Sequence, residues 1–136
     1  MKEIVIRYPS LADELTAEVM VVHGDYPKVR KAIKCRAIWD TGASETTVNA
    51  AIVRALQLEK IDAPPRVSHT ANGDTMSHAY KGCLVLANDW PPLVMRLWEM
   101  PPSDVDVLIG MDIIGRGQFN LWPEKGQTVL KFELDI

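Results

Sequence analysis

The sequence predicts a single, mainly β domain over residues 1–136, with one clear helix. Three observations lead there. Short alternating or apolar runs recur along the chain, each stopped by Gly, Pro, Asn or Asp. One stretch alone, from Asn49 to Leu58, repeats apolar residues at helical spacing. The chain has 136 residues, 47% of them hydrophobic and 24% charged, which suffices for one core and fits neither a disordered nor a fibrous protein.

Taken in order, Glu3 to Arg7 is a short strand that stops before Pro9. Leu15 to Val22 alternates loosely and ends at the turn signal Gly24-Asp25, followed by Pro27. Ala32 to Trp39 is a strand that runs directly into Asp40-Thr41-Gly42. The helix comes next: Asn49 is its N-cap, and Ile52, Val53 and Leu56, joined by Val48, form its apolar face. Pro64-Pro65 closes that section. Arg66 to Ala71 and Thr75 to Ala87 read as strands flanking a hairpin turn at Asn72-Gly73-Asp74. Leu93 to Trp98 is a strand closed by Pro101-Pro102, and Val105 to Ile109 leads through Gly110 into a short helical piece, Met111 to Ile114. Gln118 to Trp122 and Thr128 to Leu134 form a last hairpin around Pro123 to Gly126. No linker or internal repeat interrupts this order.

Composition excludes several functions. A net charge of −3 is wrong for a dedicated nucleic-acid binder, and the basic stretch Lys28 to Arg36 reads as the solvated side of a strand and its turn. Cys35 and Cys83 stand in strand-like surroundings without CxxC spacing, which predicts buried free thiols rather than a disulfide or zinc site. His23, His69 and His78 lack a third ligand, so neither a metal nor another cofactor is expected. No signal peptide or membrane span is visible, and a reducing, cytoplasmic location without membrane partners is the simplest expectation.

The stretch that carries chemistry is Ala37-Ile38-Trp39-Asp40-Thr41-Gly42-Ala43-Ser44. It places a carboxylate where a buried strand breaks. Gly42 permits close approach of backbone or substrate, and Thr41 can hold the loop by a local hydrogen bond. An Asp in an ordinary Asx-turn is the bland alternative to this reading.

Context decides between the two. The stretch resembles the catalytic loop of the retropepsins, the aspartic proteases of retroviruses and gypsy-type retroelements, with cellular and bacterial relatives. Thr47-Val48-Asn49, Ile52-Val53 and Leu56-Gln57-Leu58 stand where many relatives have a helix after that loop. Ala71-Asn72-Gly73-Asp74 stands at the tip of the family's β-hairpin flap, and Asp106 to Ile114 is similar to the gypsy-type Asp-Val-Ile-Leu-Gly-Met-Asp-Trp-Leu. The resemblance covers about residues 15 to 134, in order and at matching spacing. It implies a retropepsin-like acid protease barrel with a flap, and an aspartic endopeptidase acting on polypeptides. By the same resemblance Asp40 is catalytic, Thr41 and Gly42 support its loop, and Ala43, Ser44, Ala71, Asn72 and Gly73 bind substrate. Two positions depart from the retroviral pattern: Met111 replaces an Arg that braces the dimer, and Ser44 replaces a frequent Asp.

The chemistry also implies a homodimer. Two carboxylates sharing one proton are required, one to activate water and one to protonate the carbonyl oxygen. This chain has one Asp-Thr-Gly, and Asp106 and Asp112 lack a small-residue loop after them and read as structural. The second Asp40 therefore comes from a symmetry mate. The apolar ends, Ile4 to Ile6 and Val129 to Leu134, are candidates either for pairing across the dimer or for completing the chain's own sheet. The main alternative function is a catalytically silent dimerisation or peptide-binding module on the same fold. Actin-like kinases and aspartyl-phosphate phosphatases fit poorly, since the former need a second phosphate loop and a far longer chain, and Gly42 stands where the latter need a second Asp.

Overall fold

The computed structural model describes residues 1–70 and 73–136, with backbone alone at 68–70 and 75. Its strands are β1 (Lys2–Arg7), β2 (Thr16–His23), β3 (Ala32–Trp39), β4 (Thr47–Asn49), β5 (Glu59–Lys60), β6 (Arg66–Thr70), β7 (Gly73–Ser77), β8 (Ala79–Val85), β9 (Leu93–Met100), β10 (Val107–Ile109), β11 (Gln118–Glu124) and β12 (Gln127–Leu134). Helix α1 spans Ala50–Leu56 and α2 spans Met111–Ile114. The architecture is mainly β and retropepsin-like, as expected from the sequence.

Strands β2, β3, β10, β4, β9 and β8 pair in that order, and β8 pairs again with β2 to close a six-stranded barrel. Alternation drives the closure. In β3, Cys35, Ala37 and Trp39 are buried while Lys34 and Arg36 face solvent, so one side of the strand is committed to the interior. Two of the barrel pairings are parallel, β3 with β10 and β4 with β9. A second sheet of order β1-β12-β11 packs against the barrel through aromatic rings: Trp39 lies 5.2 Å from Phe132 and 5.8 Å from Phe119. The bulky Trp39 thus packs within an aromatic cluster, which Trp90 extends at 6.2 Å from Phe132. The hairpin β6–β7 forms a separate two-stranded sheet.

Several elements differ from the sequence reading. Val48 belongs not to the helix but to β4, which lies between β10 and β9 and ends at the N-cap. Asn49 does cap α1, accepting the Ala51 amide at 2.9 Å. The helix stops at Leu56 because Gln57 turns left-handed, with φ 53°. The stretch Thr75 to Ala87 is two strands, divided at His78, that belong to different sheets. Gly73 is not a turn centre: it opens β7 opposite Thr70. Strand β1 completes the chain's own sheet against β12, and β12 is flanked on its other edge by β11. The C-terminal strand thus has both edges occupied within the chain, and only the outer edges of β1 and β11 are open in that sheet. Among the described residues no helix is long and apolar enough to cross a membrane.

Candidate active site

Asp40 stands at the end of β3, just beyond its last barrel residue. The Trp39 amide donates to Leu15 O at 2.9 Å, and the Asp40 amide donates to Ile109 O at 2.8 Å. The parallel neighbour β10 therefore carries the strand's hydrogen bonding through Asp40, after which the chain must turn. The turn closes on Asp40 itself: Gly42 N–H donates to its Oδ1 at 2.9 Å, and Ala43 N–H donates to its carbonyl at 3.1 Å. A Cβ at position 42 would sit 3.2 Å from that same Oδ1, so glycine keeps the carboxylate uncrowded. Asp40 is half-buried, Ala43 is half-buried, and Thr41, Gly42 and Ser44 are exposed. Thr41 makes no side-chain hydrogen bond among the described residues, so the backbone and the carboxylate hold the loop instead. Oδ2 of Asp40 likewise accepts no hydrogen bond there.

Beneath the loop lies a second layer that the sequence reading did not identify. Thr46 is fully buried; its hydroxyl donates to Asp112 Oδ1 at 2.7 Å and accepts the Gly110 amide at 3.1 Å. The Thr46 amide donates to Asp112 Oδ2 at 2.9 Å, and the Met111 amide donates to Ala43 O at 2.8 Å. Gly110 is pressed against this segment, since a Cβ there would come within 2.6 Å of the Glu45 carbonyl carbon. Both Asp112 oxygens are thus engaged, and Asp106 Oδ2 accepts the Arg36 amide at 2.9 Å. Neither carboxylate pairs with Asp40. The only signals for this layer were the Gly110 motif and the threonine after the loop, and neither names its partner.

Of the residues assigned to the hairpin tip, Ala71 and Asn72 lie outside the described residues. Gly73 is exposed, with φ +106°. The hairpin is tied to the body by Arg66, whose Nη2 lies 2.7 Å from Glu45 Oε1 and whose guanidinium carbon is 4.6 Å from the Trp98 ring centre. A cavity of about 510 Å³ lies elsewhere, between β1 and the barrel, with Ile4, Ile6, Val19 and Trp39 in its walls; Asp40 is not among them. Among the described residues no group of three or more metal-ligating side chains is gathered.

Comparison with known proteins bears on the family and the fold. The family described as "gag-polyprotein putative aspartyl protease" matches residues 28–116, well over half of the chain. That span includes Asp40, the β6–β7 hairpin and Gly110. The structure of a retropepsin-like aspartic protease from Rickettsia conorii is similar at a TM-score of 0.58 and 16% identity, over 96% of this chain and 92% of that one. The retroviral protease-like domain of Ddi1 from Leishmania major aligns over 85% of this chain and 92% of its own, with 15% identity and a TM-score of 0.46. A search of curated protein sequences finds no match. By the family match and the closed barrel together, the chain belongs to the gag-polyprotein aspartyl protease family and has the retropepsin-like fold.

Proposed function

We propose that the protein is an aspartic endopeptidase that works as a homodimer, each subunit supplying one Asp40. The observation that carries this reading is the state of the Asp40 carboxylate. One oxygen is fixed by the Gly42 amide while the other accepts no hydrogen bond from the described residues, at a loop whose Thr41 and Gly42 are exposed. The Gly42 bond by itself is that of an Asx-turn; the position of the loop within the span that matches the aspartyl protease family favours the catalytic role. Two such loops meeting at a two-fold axis bring two carboxylates together, and like charges so close keep one proton between them. The ionised member takes a proton from water as its oxygen attacks the peptide carbonyl carbon. The protonated member gives its proton to the carbonyl oxygen, forming a neutral gem-diol. Collapse then reforms the carbonyl, breaks the C–N bond and sends a proton to the leaving amine. Ala43, Ser44 and the hairpin residues Ala71, Asn72 and Gly73 take the role of substrate contacts in this scheme.

Asp40→Asn tests the proposal, because the amide keeps the shape and removes both proton roles. Cleavage of a peptide substrate should fall by about 10²–10⁴-fold or more, with the dimer mass unchanged in sedimentation. Cleavage at the wild-type rate by the variant would sink the assignment. A wild-type dimer that binds peptides and never cleaves them would establish the silent-module alternative.

A further inference from the structure

The hairpin β6–β7 has two legs, and they are anchored differently. The second leg leaves through His78, whose carbonyl accepts the Glu99 amide at 3.0 Å, and so merges into the barrel. The first leg arrives from Pro64-Pro65, which supply no backbone donors. It gains its hold on the body at its first residue, Arg66.

Arg66 lies between two fixed surfaces. Its guanidinium covers the ring of Trp98, a buried residue of β9, and its Nη2 bonds Glu45 at 2.7 Å. Trp98 is immobilised by its own backbone, which donates to Thr46 O at 3.2 Å and stands opposite Thr47 in the β4–β9 register. Glu45 is three residues beyond Gly42, and its backbone is wedged against Gly110. Among the described residues the other oxygen of that carboxylate, Oε2, is buried and accepts no hydrogen bond. A cationic residue without Glu45, or Glu45 without Arg66, would leave this spot electrically uncompensated. An open cavity of about 430 Å³ lies at the base of the hairpin, walled by Lys60, Pro65 and His78 among others.

We propose that Arg66 is a positioning residue: clamped between Glu45 and Trp98, it sets where the β6–β7 hairpin stands relative to Asp40 and so governs how tightly a bound peptide is covered. This rests on the endopeptidase reading for its kinetic part alone. An exposed ion pair adds little to global stability; its effect here is to choose among hairpin positions. The bond geometry and the stacking also need a planar guanidinium, which an ammonium does not reproduce.

The test joins amide hydrogen exchange to steady-state kinetics on the full chain. In Arg66→Ala, amides of β6 and β7 should exchange about tenfold faster while the barrel amides keep their wild-type protection. The KM for a peptide substrate should rise about tenfold with kcat within about twofold. Arg66→Lys should recover part of both effects, and adding Glu45→Gln to Arg66→Ala should change neither further. Unchanged hairpin exchange in Arg66→Ala would overturn the clamp, and so would a fall in kcat at constant KM. If the wild-type protein cleaves nothing, the endopeptidase reading fails, while the exchange result still decides the clamp.

Discussion

Thr46 joins the segment after Asp40 to the turn before α2 through one hydroxyl, which serves Asp112 and Gly110 together. Valine has the same shape and neither hydrogen-bonding role. In Thr46→Val the Gly110 amide and an Asp112 oxygen would lose their partners in a buried site, at about 1–3 kcal/mol each. The expected loss is about 2–4 kcal/mol of unfolding free energy, read as a lower urea midpoint with unchanged slope. A shift worth under about 0.5 kcal/mol would show that water replaces the hydroxyl freely. This partnership also marks the limit of what the sequence discloses at single positions. Asp40-Thr41-Gly42 and Gly110 are adjacent-residue patterns and were legible. Thr46 with Asp112, and Glu45 with Arg66, are matched across many positions of chain, and a side-chain partner at such distance leaves no local mark.

At the level of elements, hydrophobic alternation located β1, β2 and β3 closely, because each has a face turned to a core, while β9 and the β11–β12 hairpin were located by the turn residues that bound them. Alternation missed β4 and β5. Thr47–Asn49 is too short to show a period and passes straight into a helix cap, and Glu59–Lys60 has both residues exposed. It also fused β7 with β8, since His78 is neither Gly nor Pro and a change of pairing partner has no composition of its own. The hairpin itself supports a sharper expectation. Gly73 has φ +106°, a region L-residues avoid, yet a Cβ there would meet nothing within 4 Å. The cost of Gly73→Val is therefore local backbone strain rather than a clash, roughly 1–3 kcal/mol confined to the hairpin. Dimerisation and the melting temperature should stay nearly unchanged, while peptide turnover falls at least about tenfold. Wild-type kinetics in the folded dimeric variant would show that this hairpin does not close over substrate.

For the whole molecule, barrel closure was the least legible feature. It depends on the parallel pairings of β3 with β10 and β4 with β9, which no neighbouring residues announce. The buried free thiols were legible, and they carry a pH signature. Burial pushes the Cys35 thiol from 9.0 up to about 11 and the Tyr8 phenol from 10.0 up to about 12. Both groups are neutral when protonated, and both hold their protons more tightly folded than unfolded. Stability is thus intact below about pH 9 and is lost as pH rises from there toward 12. The exposed ammoniums of Lys81 and Lys131, also raised by their carboxylate partners, act in the same direction. Urea titrations at successive pH values should show this decline, and Cys35→Ala should remove its lower part. A constant unfolding free energy up to pH 11 would contradict it.

The seating of β12 between β1 and β11 also has a meaning in time. Lys2 to Arg7 find their partners in Leu134 to Val129, so β1 is synthesised well before the strand it pairs with. Roughly 120 residues separate the two, or about 6–24 s of synthesis at ordinary rates. Throughout that interval Ile4 and Ile6 have no sheet to join, and the cavity wall they later form is open to any passing strand. Glu3 and Arg7 on the opposite face, with Lys2 ahead of the isoleucines on their own face, are then the nascent chain's own guard against pairing with a stranger.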